Sequence, residues 1–194
     1  MSNQLRATCP GVTDCGRRPS VAWFPVGWTK VETFEGIFKH LAQPTTRPRI
    51  LCGDFNTPQA ERADGTVITF GQVIDDDGQV TVRRRRQGGP GERWDAAERS
   101  ILTGLAAHDQ ADVFRQLHGY GVSEFSWRLK RHGEFTDRRF DHAFASAALH
   151  PVECRYVHAW RESGLSDHSA LEVEFALWPT DDKRPGSSAE TTQE

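Results

Sequence analysis

The chain has 194 residues, of which 37% are hydrophobic and 26% charged, enough to bury the core of one domain. Its formal net charge of −3 excludes the strongly basic balance of a histone-like or architectural DNA-binding protein, although a local positive groove would still admit a phosphate-bearing substrate. No stretch approaches the roughly 18 apolar residues of a membrane span, and the N-terminus lacks the apolar segment of a secretory signal. We therefore expect a cytoplasmic protein without a membrane span, whose four cysteines are reduced.

The N-terminal part of the chain predicts one helix. Residues 1–27 show no clear periodicity and stay unassigned. A helix is expected over 29–42, because apolar residues recur there at spacings of three and four; they are Val31, Phe34, Ile37, Phe38 and Leu41. Thr29 and Glu32 have the spacing of a capping box at its start.

A short buried strand is predicted at 49–53, directly before a loop. Farther along, 67–70 and 80–82 would form two strands around a turn at 75–78. The basic run Arg83–Arg86 follows. Such a run is usually a solvated loop, with contact to phosphate as the alternative.

The second half of the chain predicts two helices and then a series of strands. The helices would span 95–107 and 110–117. The strands would span 124–128, 138–146, 153–160 and 169–177, the last of which alternates apolar and acidic residues. The polar residues 179–194 are typical of a disordered tail.

A first candidate site is Gly53-Asp54-Phe55-Asn56, at the end of the buried strand. A carboxylate and an amide two residues apart can project from a strand end to the same side. Asp54 could accept a proton from an attacking water, and Asn56 could hold that water or a phosphate oxygen. The alternative is that both residues only shape the turn before Pro58.

A second candidate is Ser166-Asp167-His168, just before the last strand. Asp167 could bind a hard cation such as Mg²⁺ through oxygen. His168 could donate a proton or stabilise a phosphoryl oxygen. The alternative is an ordinary surface turn.

A third candidate is Asp141, which begins a strand between aromatic residues. A carboxylate in such surroundings needs a partner. His168 could be that partner, in which case Asp141 would fix the tautomer of the imidazole. The alternative is an ion pair with Arg138 or Arg139. Asp112 is expected to be a structural capping or pairing carboxylate.

Five segments of the chain, taken in order, resemble the endonuclease/exonuclease/phosphatase superfamily, which includes exonuclease III and DNase I. Ile50–Pro58 is similar to its "GDFN" loop, Arg139–Ser146 to its "R-x-D-x" strand and Leu165–Leu171 to its terminal "SDH" motif. Ala111–Arg115 and Phe125–Trp127 resemble the segments that lie between them. The resemblance covers roughly residues 27–177.

The resemblance implies an α+β fold: the C-terminal half of a four-layer α/β/β/α sandwich, mostly antiparallel, with flanking helices. The domain would span residues 28–178. Half a sandwich would expose apolar sheet and strand edges, so we expect poor solubility as a monomer or self-association through the sheet.

The resemblance also assigns roles to residues at matching positions. Asp54 would be the base, Asn56 would bind the scissile phosphate, and Asp141 would orient His168, which contacts the phosphate in the transition state. Asp167 would be a ligand of the catalytic Mg²⁺ or Mn²⁺. Arg139 and Trp127 would contact substrate, with core packing as the alternative for Trp127.

The implied activity is metal-dependent hydrolysis of a phosphodiester or phosphomonoester by water, as in a nuclease. DNA or RNA is the expected partner, while phospholipids and inositol phosphates share these motifs. The superfamily places a metal-binding glutamate on an early strand, and residues 1–27 contain no glutamate. A truncated N-terminal half would explain this, so we expect little or no activity of the isolated chain. The alternative is a non-catalytic remnant that binds phosphate or nucleic acid.

Overall fold

The computed structural model describes residues 4–8, by their backbone alone, and 27–176, without the side chain of Arg131. The helices are α1 (Trp28–Leu41), α2 (Gly91–Leu102), α3 (Val113–His118) and α4 (His158–Glu162), with 3₁₀ turns at Gly104–His108 and Ala147–Leu149. The strands are β1 (Gln4–Thr8), β2 (Ile50–Asp54), β3 (Ala60–Glu61), β4 (Val67–Ile68), β5 (Gln72–Ile74), β6 (Val80–Val82), β7 (Arg85–Arg86), β8 (Gly89–Pro90), β9 (Ala111–Asp112), β10 (Trp127–Arg131), β11 (Glu134–Arg138), β12 (Asp141–Ala145), β13 (Pro151–Val157) and β14 (Ala170–Ala176). The predicted tail at 179–194 lies outside the described residues.

The predicted helix at 29–42 is confirmed as α1, but its predicted capping box is wrong. Gly27 occupies the N-cap, and no side chain caps the helix. Thr29 therefore lies inside the first turn, where its carbonyl accepts a hydrogen bond from Thr33 Oγ1 at 2.8 Å. The helix predicted at 95–107 begins earlier, at Gly91, and its last turns become a 3₁₀ helix.

The hairpin predicted between 67–70 and 80–82 has a different first strand. β6 pairs with β5, whereas β4 pairs with β3. The turn itself is where the sequence predicts it, since the Asp75 carboxylate accepts hydrogen bonds from the amides of Asp77 and Gln79. Later in the chain, β10 and β11 form a hairpin where only a strand at 124–128 is expected.

Two three-stranded antiparallel sheets form the centre of the fold. One has the order β2-β12-β9 and the other β1-β14-β13. Because side chains alternate along a strand, Leu51 and Phe144 pack with α1 and α2, whereas Cys52 and Ala143 pack with the apolar face of β14. The first sheet therefore lies between the helices and the second sheet. This mixed, antiparallel architecture is the predicted fold class, and the half sandwich stays a prediction.

The opposite face of the second sheet carries charged side chains. Arg155 lies 2.8 Å from Glu172 and 3.5 Å from Glu153, while Val152 on the same strand is exposed. Self-association through an exposed sheet stays a prediction. None of the described helices has the length and apolar character to cross a membrane.

The expectation of reduced cysteines is wrong for Cys52, which is disulfide-bonded. Cys154 is free and buried. Its place in the apolar cluster between the sheets raises the pKa of its thiol to about 12, chiefly through burial.

Candidate functional site

Strand register brings two of the candidate carboxylates, Asp54 and Asp141, together. Asp54 ends β2 and Asp141 begins β12, and the two are register partners in the antiparallel pair. The Cβ atoms of directly opposed residues lie about 5 Å apart. Both side chains are partly exposed, so the end of this strand pair presents two acids side by side.

His168 completes the cluster from the chain segment before β14. Its Nδ1 lies 2.7 Å from Asp141 Oδ2, and its Nε2 lies 4.0 Å from Asp54 Oδ2. One ligand-type atom from each of the three residues lies within 4.8 Å of the others. Asp141 is thus paired with His168 and with neither Arg138 nor Arg139.

Ser126 holds this arrangement in place, although sequence reasoning gives it no role. It is fully buried, and its Oγ accepts hydrogen bonds from the amides of Phe140 (2.9 Å) and Asp141 (3.0 Å). Its carbonyl accepts from the amide of Ser169 at 2.7 Å. One residue therefore fixes the backbone at Asp141 and beside His168.

Asn56 adopts a left-handed backbone conformation, with φ 51°, which Asn tolerates better than most residues. Its amide donates to Asp54 Oδ1 at 2.8 Å, and its Nδ2 donates to Asp54 Oδ2 at 3.2 Å. Both carboxylate oxygens of Asp54 are therefore oriented by this one residue.

A buried ion pair between Lys30 and Glu98 supports the loop at Asn56. The sequence alone does not predict it. Lys30 Nζ donates to the carbonyl of Asn56 at 2.8 Å and to Glu98 Oε1 at 2.7 Å. Glu98 also accepts from Trp94 Nε1 (2.8 Å) and from the Phe70 amide (2.7 Å). Lys30 is 3% and Glu98 1% exposed, so a buried, hydrogen-bonded ion pair joins α1, α2 and the site loop.

The electrostatic surroundings raise the pKa of Asp54. Burial is the largest cause, and the neighbouring Asp141 carboxylate adds to it. The Asn56 amide, His168 and Lys30 oppose this rise without cancelling it. A carboxylate with a raised pKa is a better proton acceptor near neutral pH than an ordinary Asp.

The pKa of His168 is also raised. Burial acts to lower it, but the hydrogen bond and charge of Asp141, together with the charges of Asp54 and Asp167, outweigh burial. The imidazole therefore keeps its second proton to higher pH than a free histidine. A protonated Nε2 can donate to an anionic oxygen.

The donor set suits a divalent cation. Asp54 and Asp141 supply carboxylate oxygens, which Mg²⁺ and Mn²⁺ prefer, and an imidazole nitrogen suits Mn²⁺ better than Mg²⁺. Asp167, the predicted metal ligand, is exposed beside His168 and lies outside this three-residue cluster. One carboxylate alone cannot make such a site, so Asp167 would need the cluster's oxygens.

Arg139 lies in a buried network of hydrogen bonds and is not part of the cluster of Asp54, Asp141 and His168. This is contrary to its predicted contact with substrate. Its guanidinium donates to both oxygens of Glu61 (2.8 Å each) and of Asp112 (3.2 and 2.7 Å), and to Tyr156 Oη (3.5 Å). These bonds account for its five N–H groups. Asp112 also caps α3, as its structural interpretation requires.

Trp127 lies next to the cluster. Its backbone forms an isolated β-bridge with His168, and its partly exposed indole stacks on Phe140 with centroids 5.3 Å apart. The position allows both packing and contact with a substrate at His168.

Comparison with known proteins shows similarity at the level of the fold. An AP endonuclease from Archaeoglobus fulgidus has a solved structure similar to that of this chain, with a TM-score of 0.52 and 15% sequence identity; the match covers 91% of this chain and 72% of that chain. No protein-family model matches the chain, and no curated protein is similar to it in sequence. The chain thus shares with a nuclease its arrangement of helices and antiparallel strands.

Proposed function

We propose that this chain is a divalent-metal-dependent phosphoesterase that hydrolyses phosphodiester bonds as nucleases do. The observation that carries the proposal is the convergence of Asp54, Asp141 and His168, from three separate segments of the sequence, at one end of the first sheet. The fold that the chain shares with an AP endonuclease is consistent with it.

In this proposal the side chains divide the work of in-line hydrolysis. Asp54 orients the attacking water and accepts its proton. Asn56 donates its remaining side-chain N–H to a phosphate oxygen. Asp141 holds His168 with Nδ1 protonated, so that the Nε2 proton stabilises the charge that develops on the phosphoryl oxygen.

Mg²⁺ or Mn²⁺, when bound, would offset the developing negative charge and assist departure of the leaving oxygen. Asp167 together with oxygens of Asp54 and Asp141 would hold it. His168 stays protonated here and is therefore not a ligand.

A second candidate function is metal or phosphate binding without turnover. It is favoured by the make-up of the cluster, since the described part of the chain brings no glutamate to it. Isothermal titration with Mn²⁺ and with a non-hydrolysable phosphodiester analogue measures binding separately from cleavage. Binding without cleavage would support this second candidate.

The test of the first proposal is hydrolysis of bis(p-nitrophenyl) phosphate and of labelled DNA and RNA in the presence of Mn²⁺ or Mg²⁺. We expect cleavage that EDTA abolishes and that His168→Ala reduces about 10²–10³-fold. His40→Ala is the matched control, because His40 is exposed on α1. Cleavage no faster than a metal-only blank, or equal in the two variants, contradicts the proposal. Phospholipid and inositol phosphate substrates tested in parallel would define the substrate class.

A further inference from the structure

Two arginine side chains lie over the ring of Phe70. The Cζ atoms of Arg86 and Arg138 each lie 5.1 Å from the ring centroid, and both side chains are partly buried. Within residues 27–176 neither forms an ion pair. Arg138 donates to the carbonyl of Gln59, while Nε of Arg86 is buried without a hydrogen-bond partner.

These two guanidinium groups differ from other buried cations of the fold. Arg139 and Lys30 each have carboxylates at hydrogen-bond distance. Burial lowers the pKa of Arg86 and of Arg138, although the charge of Glu98 opposes this at Arg86. Two partly desolvated positive charges that share no ion pair with the described residues make a strongly favourable place for an anion.

Phe70 connects this pair to the candidate active site. Its amide donates to Glu98, the partner of Lys30, which in turn holds the carbonyl of Asn56. Its ring also contacts that of Phe140, the residue before Asp141, with centroids 6.2 Å apart. The ring that carries the two arginines is therefore in contact with residues that position the cluster.

We propose that Arg86 and Arg138 form a second anion-binding subsite, which takes a backbone phosphate of a nucleic-acid strand next to the phosphate being cleaved. The inference rests on the proposed function and narrows it, because a substrate that uses both positions carries at least two phosphates. A guanidinium can donate two parallel hydrogen bonds to one phosphate. This subsite would favour a strand over a small phosphomonoester.

Binding without metal tests this subsite independently of catalysis. The probe is a fluorescein-labelled single-stranded DNA oligonucleotide, and its dissociation constant for the full chain is measured by anisotropy in EDTA over a series of salt concentrations. For a single strand, each phosphate that the protein neutralises contributes about 0.7 to the slope of log K against log salt. Because the subsite takes one phosphate, we expect Arg86→Met/Arg138→Met to reduce the slope by about that amount and to weaken binding at every salt concentration.

Two other variants distinguish the loss of this subsite from a general loss of positive charge. Arg47→Met/Arg84→Met removes the same charge from exposed positions and is expected to change the slope much less. Arg86→Lys/Arg138→Lys keeps the charge and should restore most of the slope. Circular dichroism checks folding; if the double Met variant is unfolded, each single variant should still reduce the slope, by at most about 0.7.

Equal slopes in the wild type and in a folded Met variant would overturn the inference, as would a wild type that binds no oligonucleotide. Displacement of the probe by inositol hexakisphosphate as effectively as by unlabelled strand, at equal total phosphate, would overturn the assignment to a strand. A wild type that binds the strand with the expected slope but hydrolyses nothing supports the subsite and contradicts the proposed catalysis.

Discussion

Nδ1 of His168 lies 2.7 Å from Oδ2 of Asp141, so the imidazole is oriented by a carboxylate that also raises its pKa. We expect Asp141→Asn to lower the pKa of His168, because the substitution removes the negative charge and keeps the size of the side chain. Activity should fall roughly 10²-fold or more. Proton NMR of the His168 ring, identified by its loss in His168→Ala, measures the pKa. An unchanged titration would show that Asp141 does not control the imidazole.

The same pair predicts a pH dependence of stability. Because the folded-state pKa of His168 is raised above 6.5, its contribution to stability is fully present below that pH and is lost as pH rises through the folded-state pKa. Urea denaturation at several pH values above 6.5 should show this loss in the wild type. In Asp141→Asn the loss of stability should be smaller. An equal loss in both proteins would contradict this prediction.

Ser126→Ala is expected to reduce both stability and activity. The substitution leaves the amides of Phe140 and Asp141 without their acceptor, and a buried unsatisfied donor costs about 1–3 kcal/mol. Ser100→Ala is the control, because the Ser100 hydroxyl donates to the carbonyl of Ala97 in its own helix. Thermal unfolding should separate the two variants. A Ser126→Ala protein as stable as Ser100→Ala would mean that water replaces the hydroxyl.

Mn²⁺ is expected to raise the melting temperature of the wild type, since a ligand that binds only the folded state stabilises it by mass action. Asp54→Asn, Asp141→Asn and Asp167→Asn should each reduce this shift. His168→Ala should leave most of it, because the proposed mechanism keeps that imidazole protonated. Complete loss of the shift in His168→Ala, with none in Asp167→Asn, would instead identify the histidine as a metal ligand.

Glu61→Gln is expected to destabilise the fold by about 3–5 kcal/mol, because it leaves buried cations without their counter-charge. Glu61 lies 2.8 Å from both Arg115 and Arg139, and all three side chains are less than 10% exposed. Glu153→Gln is the control: its side chain is 50% exposed, and such pairs contribute about 0–1 kcal/mol. Urea denaturation at neutral pH compares the two variants.

Glu61 should also make the stability of the fold depend on pH in the acid range. The arginines lower the pKa of Glu61 from 4.5 to about 2, although its burial opposes this. Its stabilising contribution is therefore present above pH 4.5 and is lost as pH falls through about 2. In Glu61→Gln, stability should fall less steeply over this range, and a wild-type profile as flat as that of the variant would contradict the pairing.

Local sequence patterns predicted the parts of the fold that depend on neighbouring residues. The five apolar residues of α1 fall on one helical face, and the alternation in β14 places Leu171, Val173 and Phe175 on one buried side. The pairing of β5 with β6 was not predictable in this way, because 67–70 and 72–74 are equally apolar and the choice depends on distant packing. The capping box failed because Gly27, before the expected start, can adopt the backbone angles that begin the helix.

The residues of the candidate site that belong to a sequence motif were predictable. The residues that act through contacts with distant parts of the sequence were not. Asp54, Asn56, Asp141 and His168 follow from the resemblance, and the structure brings them together. Arg139 was misassigned because its partners, Glu61 and Asp112, lie far away in the sequence. Lys30 gave one usable signal, as a lysine next to Val31 on the buried side of an amphipathic helix. Ser126 gave none.

The register of β2 against β12 has a consequence for how such a protein can diversify. Asp54 and Asp141 face each other across neighbouring strands, so their spacing is set by this pairing and not by the length of the segment between them. The hairpins in that segment, one of which carries Arg86, can therefore be lengthened or exchanged while the reacting carboxylates stay where they are. A chain built in this way can change which molecule it recognises without rebuilding the chemistry that acts on it.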